Sequence, residues 1–322
     1  MQQIADIKNV TWQCPSLERR QAMRIPDQEM ISGFADLRTV KGLMEEAAGR
    51  HAMGCYVLPV WQNLESIALG TRILGTGKYF TPAEYCLHSP RQLLDISLDL
   101  TADPLMQTVV NTIAEVMSVD YSEKGTHTLP VILEVEAPFT ILSALMNPVD
   151  LYQYFEEEPE LLTAALHRIT DAQVDYIKAC LKAGCRIISL ADPAGTMDLV
   201  GGDYYKTICG EAEVYLMRKC QPFLDRAIVH ICMKMSRSLV LSGLASAKPY
   251  LPDPALVKPY LSAGHGVDYL DLLLEMASDP GIHFTGMTCI HAGLSRNFDE
   301  IGKAVSIDLM NHNKNQEDQP DD

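Results

Sequence analysis

Cys185-Arg-Ile-Ile-Ser-Leu-Ala-Asp192-Pro193 is a short β-branched run that directly follows Gly184, the residue at which a helical stretch from about Pro159 to Ala183 stops. Apolar residues at 162, 166, 169, 177 and 181 give that stretch one face at helical spacing. A glycine just past the last periodic residue is a common way for a helix to end. Upstream lies Leu129-Pro-Val-Ile-Leu-Glu-Val-Glu136, again short, apolar and bounded by turn residues. Strand, long helix and strand at this spacing predict a crossover whose two strands run parallel.

The same order continues outward in both directions. Downstream, the pattern predicts a helix near Asp203 to Cys220, a strand over Ala227 to Cys232, helices near Ser236 to Ala247 and Val267 to Ser278, a strand over His283 to Cys289 and a helix over Ser295 to Met310. Upstream, Cys55-Tyr-Val-Leu-Pro-Val-Trp61 reads as the first strand, with Pro59 marking its end or a bulge. Leu93 to Leu100 reads as a second strand, and Asp103-Pro104 supplies a cap and first residue for a helix to about Val119. Alternation over most of the chain predicts an α/β fold, a (β/α)8 TIM barrel over residues 51–310, with a doubly wound open sheet as the other possibility. A polar helical extension over residues 1–50 and a disordered acidic tail over 311–322 complete the expected organisation.

Composition narrows the chemistry. With 322 residues, 47% hydrophobic and 21% charged, the chain can bury a large core. A formal charge of −16, from 42 acidic against 26 basic side chains, repels a phosphate backbone, so no nucleic acid is expected as a partner. Nine cysteines, at 14, 55, 86, 180, 185, 209, 220, 232 and 289, lack the short regular spacing of a disulfide framework and fit a reducing cytoplasm. The first residues lack a basic segment followed by an apolar one, and no apolar run reaches the ~18 residues of a membrane span, so an unexported protein with no membrane contact is expected. Dinucleotide-loop, phosphate-loop, nucleophile-elbow and zincin motifs are absent from the sequence.

In a barrel, function collects at the C-terminal ends of the strands. Ionisable or ligating residues there are Glu65 after the first strand, Glu136, Asp192, the pair His230 and Cys232, and Cys289 with His291. His230 and Cys232 sit two positions apart in Ala227-Ile-Val-His230-Ile-Cys232, and strand side chains alternate, so both point the same way. A further thiolate from Cys289 makes a three-ligand set for zinc, with an open position of the kind catalytic zinc keeps. Equally, a buried histidine and two cysteines are ordinary core residues. Asp192 is placed to cap a helix or to act in the site, Glu65 to sit on a helix surface or approach the cavity, and His291 to offer another nitrogen.

Several of these stretches together resemble one family. They are Val57-Leu-Pro-Val-Trp61 with Glu65-Ser-Ile-Ala-Leu-Gly70, Val131 to Thr140, Gly184 to Gly195, Val229-His-Ile-Cys232, and Gly286-Met-Thr-Cys289. They resemble the uroporphyrinogen decarboxylase superfamily, in its branch of cobamide-dependent methyltransferases. The resemblance implies a TIM barrel, catalytic zinc on His230, Cys232 and Cys289, and Glu136, Asp192 and Glu65 around the cavity. It also implies a methylcobamide (cobalamin) supplied by a small corrinoid-binding partner protein, and a small-molecule methyl donor or acceptor such as a thiol. Met233-Lys-Met235 departs from the glycine the family usually has after its H-x-C pair, which points to this wall as the place where substrate identity is set. A metal-free decarboxylase on the same barrel and a non-catalytic corrinoid-binding protein are the alternatives.

Overall fold

In the computed structural model, which describes residues 55–58, 63–75, 80–118, 129–255, 269–290 and 305–310 together with Arg38, Lys41 and Gly42, the leading strand is β1 (Tyr56–Leu58). It is followed by the short helix α1 (Leu64–Ala68) and a hairpin of β2 (Arg72–Gly75) and β3 (Phe80–Glu84). Next come α2 (Gln92–Asp95) and α3 (Pro104–Ser118), then β4 (Val131–Glu136) and α4 (Pro138–Leu145). Two more helices, α5 (Pro148–Glu157) and the long α6 (Pro159–Lys182), lead into β5 (Ile187–Ala191). Beyond it lie α7 (Met197–Val200), a π-helical turn at Tyr205–Cys209 that runs into α8 (Gly210–Cys220), and β6 (Ile228–Ile231). The remaining elements are α9 (Met233–Leu241), β7 (Ala245–Pro249), α10 (Tyr269–Met276), β8 (Phe284–Thr285) and β9 (Val305–Leu309).

A seven-stranded sheet organises these elements in the order β1-β4-β5-β6-β8-β9-β7. From β1 to β8 every pairing is parallel, as the crossover spacing predicts, while β9 pairs antiparallel with both β8 and β7. The fold is therefore mixed α/β around a parallel-rich sheet. Among the described residues no pairing joins β1 to β7.

The helix α6 ends as its sequence predicts. Gly184 takes φ of 111°, a left-handed conformation open to glycine, and a Cβ there would meet Met117 Cβ at 3.0 Å. The chain then turns directly into β5, whose burial is continuous except at its last residue, as expected of a strand covered on both faces.

Alternation divides the sheet residues between two apolar layers. Leu133, Val135, Ile188, Leu190, Val229 and Ile231 pack into the large core with α3, α4, α6 and α8. Ile132, Ile187 and Ile228, on the opposite face, pack with Cys55 and with Leu270, Leu273 and Met276 of α10. Each such fully buried aliphatic side chain contributes about 1.5–3 kcal/mol.

Four expectations are corrected. Leu93 to Leu100 is not a strand: α2 occupies Gln92–Asp95, and a 3-10 turn over Leu100–Ala102 follows because the Asp99 carboxylate accepts from Thr101 and Ala102 N–H and draws the chain into a turn. The helix expected near Ser236 to Ala247 begins at Met233 and ends at Leu241, and Ala245–Pro249 forms β7 instead. Of the helix expected over Ser295 to Met310, residues 295–304 lie outside the described residues and Val305–Leu309 is strand β9, since Val305-Ser-Ile-Asp-Leu309 alternates apolar and polar with period two and its backbone pairs with β7. The strand expected over His283 to Cys289 shrinks to Phe284–Thr285, so Cys289 lies beyond its end. Most of the 1–50 extension and all of the 311–322 tail lie outside the described residues. Within the former, Lys41 pairs with Glu115 of α3 at 2.6 Å.

Candidate functional site

Register places a polar row across the parallel sheet, with Glu134 of β4 beside Ser189 of β5, Ser189 beside His230 of β6, and His230 beside Thr285 of β8. Period-two alternation puts Glu134, Ser189 and His230 on the face of Ile132, Ile187 and Ile228. His230 is 0% exposed. The ring of Tyr269 on α10 meets it edge-on, with centroids 5.9 Å apart and planes at 89°. Burial raises the Tyr269 phenol above the usual tyrosine range. A Thr288 hydrogen bond opposes that shift and Cys289 adds to it. Tyr269 thus touches the surroundings of two of the predicted ligands.

Cys232 follows β6 and caps α9. Its N–H donates to Leu190 O at 2.7 Å, and its carbonyl accepts from Ser236 N–H at 2.8 Å. Ser236 also reaches the other cysteine segment: its Oγ accepts from Met287 N–H at 2.8 Å and donates to Met233 O at 3.1 Å. Gly286 makes this approach possible, because a Cβ there would meet Ser236 Cβ at 2.8 Å and Ile231 O at 3.1 Å. Met287 then takes φ of 62°, an unusual conformation for a side chain of this size. The turns bearing Cys232 and Cys289 are therefore tied through one serine. Of the predicted substrate wall, Lys234 is exposed and Met235 is buried in the core.

Two thiols and an imidazole suit zinc by donor type. Among the described residues, however, no three His, Cys, Asp or Glu side chains stand close enough to hold a metal ion. His291, the further nitrogen considered from sequence, lies outside the described residues.

Beside the polar row is a group of carboxylates. Glu65, on the first turn of α1, is 2% exposed rather than on a helix surface. Its Oε1 accepts the N–H of Glu136 at 3.2 Å. Burial pushes Glu65 up to about 7; backbone hydrogen bonds pull it down, and the neighbouring Glu134 raises it further. Asn63 holds a left-handed conformation ahead of α1, and its Nδ2 donates to Glu136 Oε2 at 3.4 Å. Gln173 of α6 donates to the Glu136 carbonyl at 2.5 Å.

Asp192 is held differently. It is 1% exposed, and its Oδ1 accepts from Thr140 Oγ1 at 2.5 Å and from Gly195 N–H at 2.8 Å. Burial raises its carboxyl above the usual range, against hydrogen bonds from Thr140 and Gly195. Sequence reading missed Glu213 and Tyr205, which lie against Asp192, and Ser236. Only Gly286 gave a sequence signal, since a lone glycine in a strand pattern marks a close backbone approach.

Comparison with known proteins adds an independent line. The family model described as uroporphyrinogen decarboxylase (URO-D) matches residues 85–248, a span that includes Glu136, Asp192, His230 and Cys232 but neither Glu65 nor Cys289. Methylcobamide:CoM methyltransferase MtaA of Methanosarcina barkeri is 26% identical over 148 residues, 45% of this chain and 41% of that protein. Methylcobamide:CoM methyltransferase MtbA of Methanosarcina acetivorans is 25% identical over 118 residues, 37% of this chain and 34% of that protein. A methylated-thiol–coenzyme M methyltransferase of Methanosarcina mazei is 28% identical over 111 residues, 34% of this chain and 29% of that protein. These matches span less than half the length of each curated relative. A solved methyltransferase from Methanosarcina mazei aligns with a TM-score of 0.48 at 19% identity, covering 67% of this chain and 61% of that one.

Proposed function

Since the chain belongs to the uroporphyrinogen decarboxylase family, we propose that it is a methyltransferase that moves a methyl group between the cobamide of a small corrinoid protein and a small thiol or methylated compound. The names of the relatives support this reading, since those proteins are methylcobamide:CoM and methylated-thiol–coenzyme M methyltransferases. The observation that carries it is the Ser236 tie between the Cys232 turn and the Cys289 segment, beside buried His230. In this reading the parallel sheet is part of a complete (β/α)8 barrel whose mouth receives the cobamide.

By donor type His230, Cys232 and Cys289 would hold zinc, once drawn closer together than they stand in this structure. When bound, that ion supplies a Lewis acid that keeps a substrate thiol ionised and nucleophilic. The protein's own groups then bind and orient. With its carboxyl near 7, Glu65 is present in both protonation states at neutral pH and takes up the proton that a thiol loses on binding. Asn63 and Gln173 fix Glu136 at the C-terminal end of β4. Tyr269 walls the histidine side. No helix among the described residues is long and apolar enough to cross a membrane.

Metal analysis of the purified protein tests the ligand set. Stoichiometric zinc in the wild type that is lost in Cys289→Ala supports it. Absence of zinc from the wild type, or an undiminished content in the variant, overturns it. Turnover of uroporphyrinogen by metal-free protein would instead establish the decarboxylase reading.

A further inference from the structure

Two buried carboxyl groups meet where the loop after β5 reaches α8. Asp192 is 1% exposed and Glu213 0%. Three of their donors are evident: Thr140 Oγ1 and Gly195 N–H to Asp192 Oδ1, at 2.5 and 2.8 Å, and Tyr205 OH to Glu213 Oε2, at 2.5 Å. The two remaining oxygens, Asp192 Oδ2 and Glu213 Oε1, are buried and receive no donor from any group among the described residues. No ion pair among the described residues involves either carboxyl.

Two ionised carboxylates so placed would repel each other at low dielectric with nothing to neutralise them. One proton between the two orphan oxygens satisfies both at once. We propose that Asp192 and Glu213 share a single proton, with a Glu213 O–H donating to Asp192 Oδ2, and that this bond latches the β5–α7 loop to α8. The aspartate is then a positioning residue for a loop at the C-terminal end of β5 rather than a group that meets substrate.

The surroundings agree. Burial raises both carboxyls, Glu213 well above the usual range, and each carboxyl perturbs the other. The titratable groups facing the pair are Tyr205 and Cys209, both on the π-helical turn, and burial raises both, keeping them neutral. That turn widens the helix where it carries Tyr205 to the pair, a local departure of the kind found at constrained sites. Gly195 fits the same picture, because a Cβ there would fall within 2.4 Å of Asp192 Oδ2. The proposal stands whether or not the protein transfers methyl groups.

Infrared spectroscopy of the intact protein tests it, at a mildly alkaline pH where exposed carboxyls and Glu65 are ionised. The wild type is expected to keep a protonated-carboxyl C=O band that is lost in both Glu213→Gln and Asp192→Asn. Each amide can replace the shared proton with an N–H donor, so both variants should fold, which thermal melting verifies. Absence of the band from the wild type, or its persistence in either folded variant, would overturn the proposal.

Discussion

Met287 N–H donates to Ser236 Oγ at 2.8 Å, fastening the segment that leads to Cys289 onto the helix that Cys232 caps. The same hydroxyl donates to Met233 O, and the Ser236 N–H returns to the Cys232 carbonyl. One side chain therefore sets the spacing of two segments that are distant in sequence.

Replacing Ser236 with Ala leaves the Met287 N–H without its acceptor while Met287 holds φ of 62°. The expected cost is about 1–3 kcal/mol of stability, measured by urea denaturation. The Cys289 thiol, now buried, should react faster with a colorimetric disulfide reagent in the native protein. Unchanged reactivity would mean that the tie does not hold the cysteine segment.

Gly286→Ala tests the same approach from the other side. Its Cβ would meet Ser236 Cβ at 2.8 Å and the Ile231 carbonyl at 3.1 Å, so backbone must move. A loss of about 1–3 kcal/mol is expected from overpacking. Gly202→Ala is the matched control: nothing lies within 4 Å of its Cβ position, and its denaturation midpoint should stay close to that of the wild type.

Glu65 makes stability depend on pH. Its folded value of about 7 lies above the 4.5 of an exposed glutamate, so the folded chain binds the extra proton between the two. The stability it contributes is fully present below about 4.5 and is lost as the pH rises through about 7. Glu65→Gln should flatten that part of the stability–pH curve, read from thermal melts across the range. A wild-type curve as steep as before in the variant would assign the slope to another group.

How far the sequence carries depends on whether a feature is local. The βαβ unit ending at Asp192 was legible because Gly184 and the apolar period of α6 bracket it, and the structure has α6 at Pro159–Lys182 and β5 at Ile187–Ala191. The shared face of His230 with Ile228 follows from strand alternation alone. By contrast, β7 has little apolar patterning, and its pairing with β9 is a long-range contact that no local spacing announces. Val305-Ser-Ile-Asp-Leu309 did carry period-two alternation, but a continuous helical reading from Ser295 masked it. Glu213 falls within the helix expected near Asp203 to Cys220 with no local mark of its own, and only the folded chain brings it against Asp192 and Tyr205. Ser236 reads as one more residue of a helix's first turns. Its hydroxyl matters because a distant glycine lets another strand end come close.

Transfer of the methyl group from free methylcobalamin to coenzyme M, followed by the change in the corrinoid spectrum, tests the proposed activity most directly. Zinc-loaded wild type should demethylate the corrinoid only when the thiol is present. Cys289→Ala should lose more than about 100-fold in rate, beyond the 10–100-fold typical of losing a supporting contact. Wild-type protein with bound zinc that transfers no methyl group to the thiol, or Cys289→Ala that transfers it at the wild-type rate, would contradict the account.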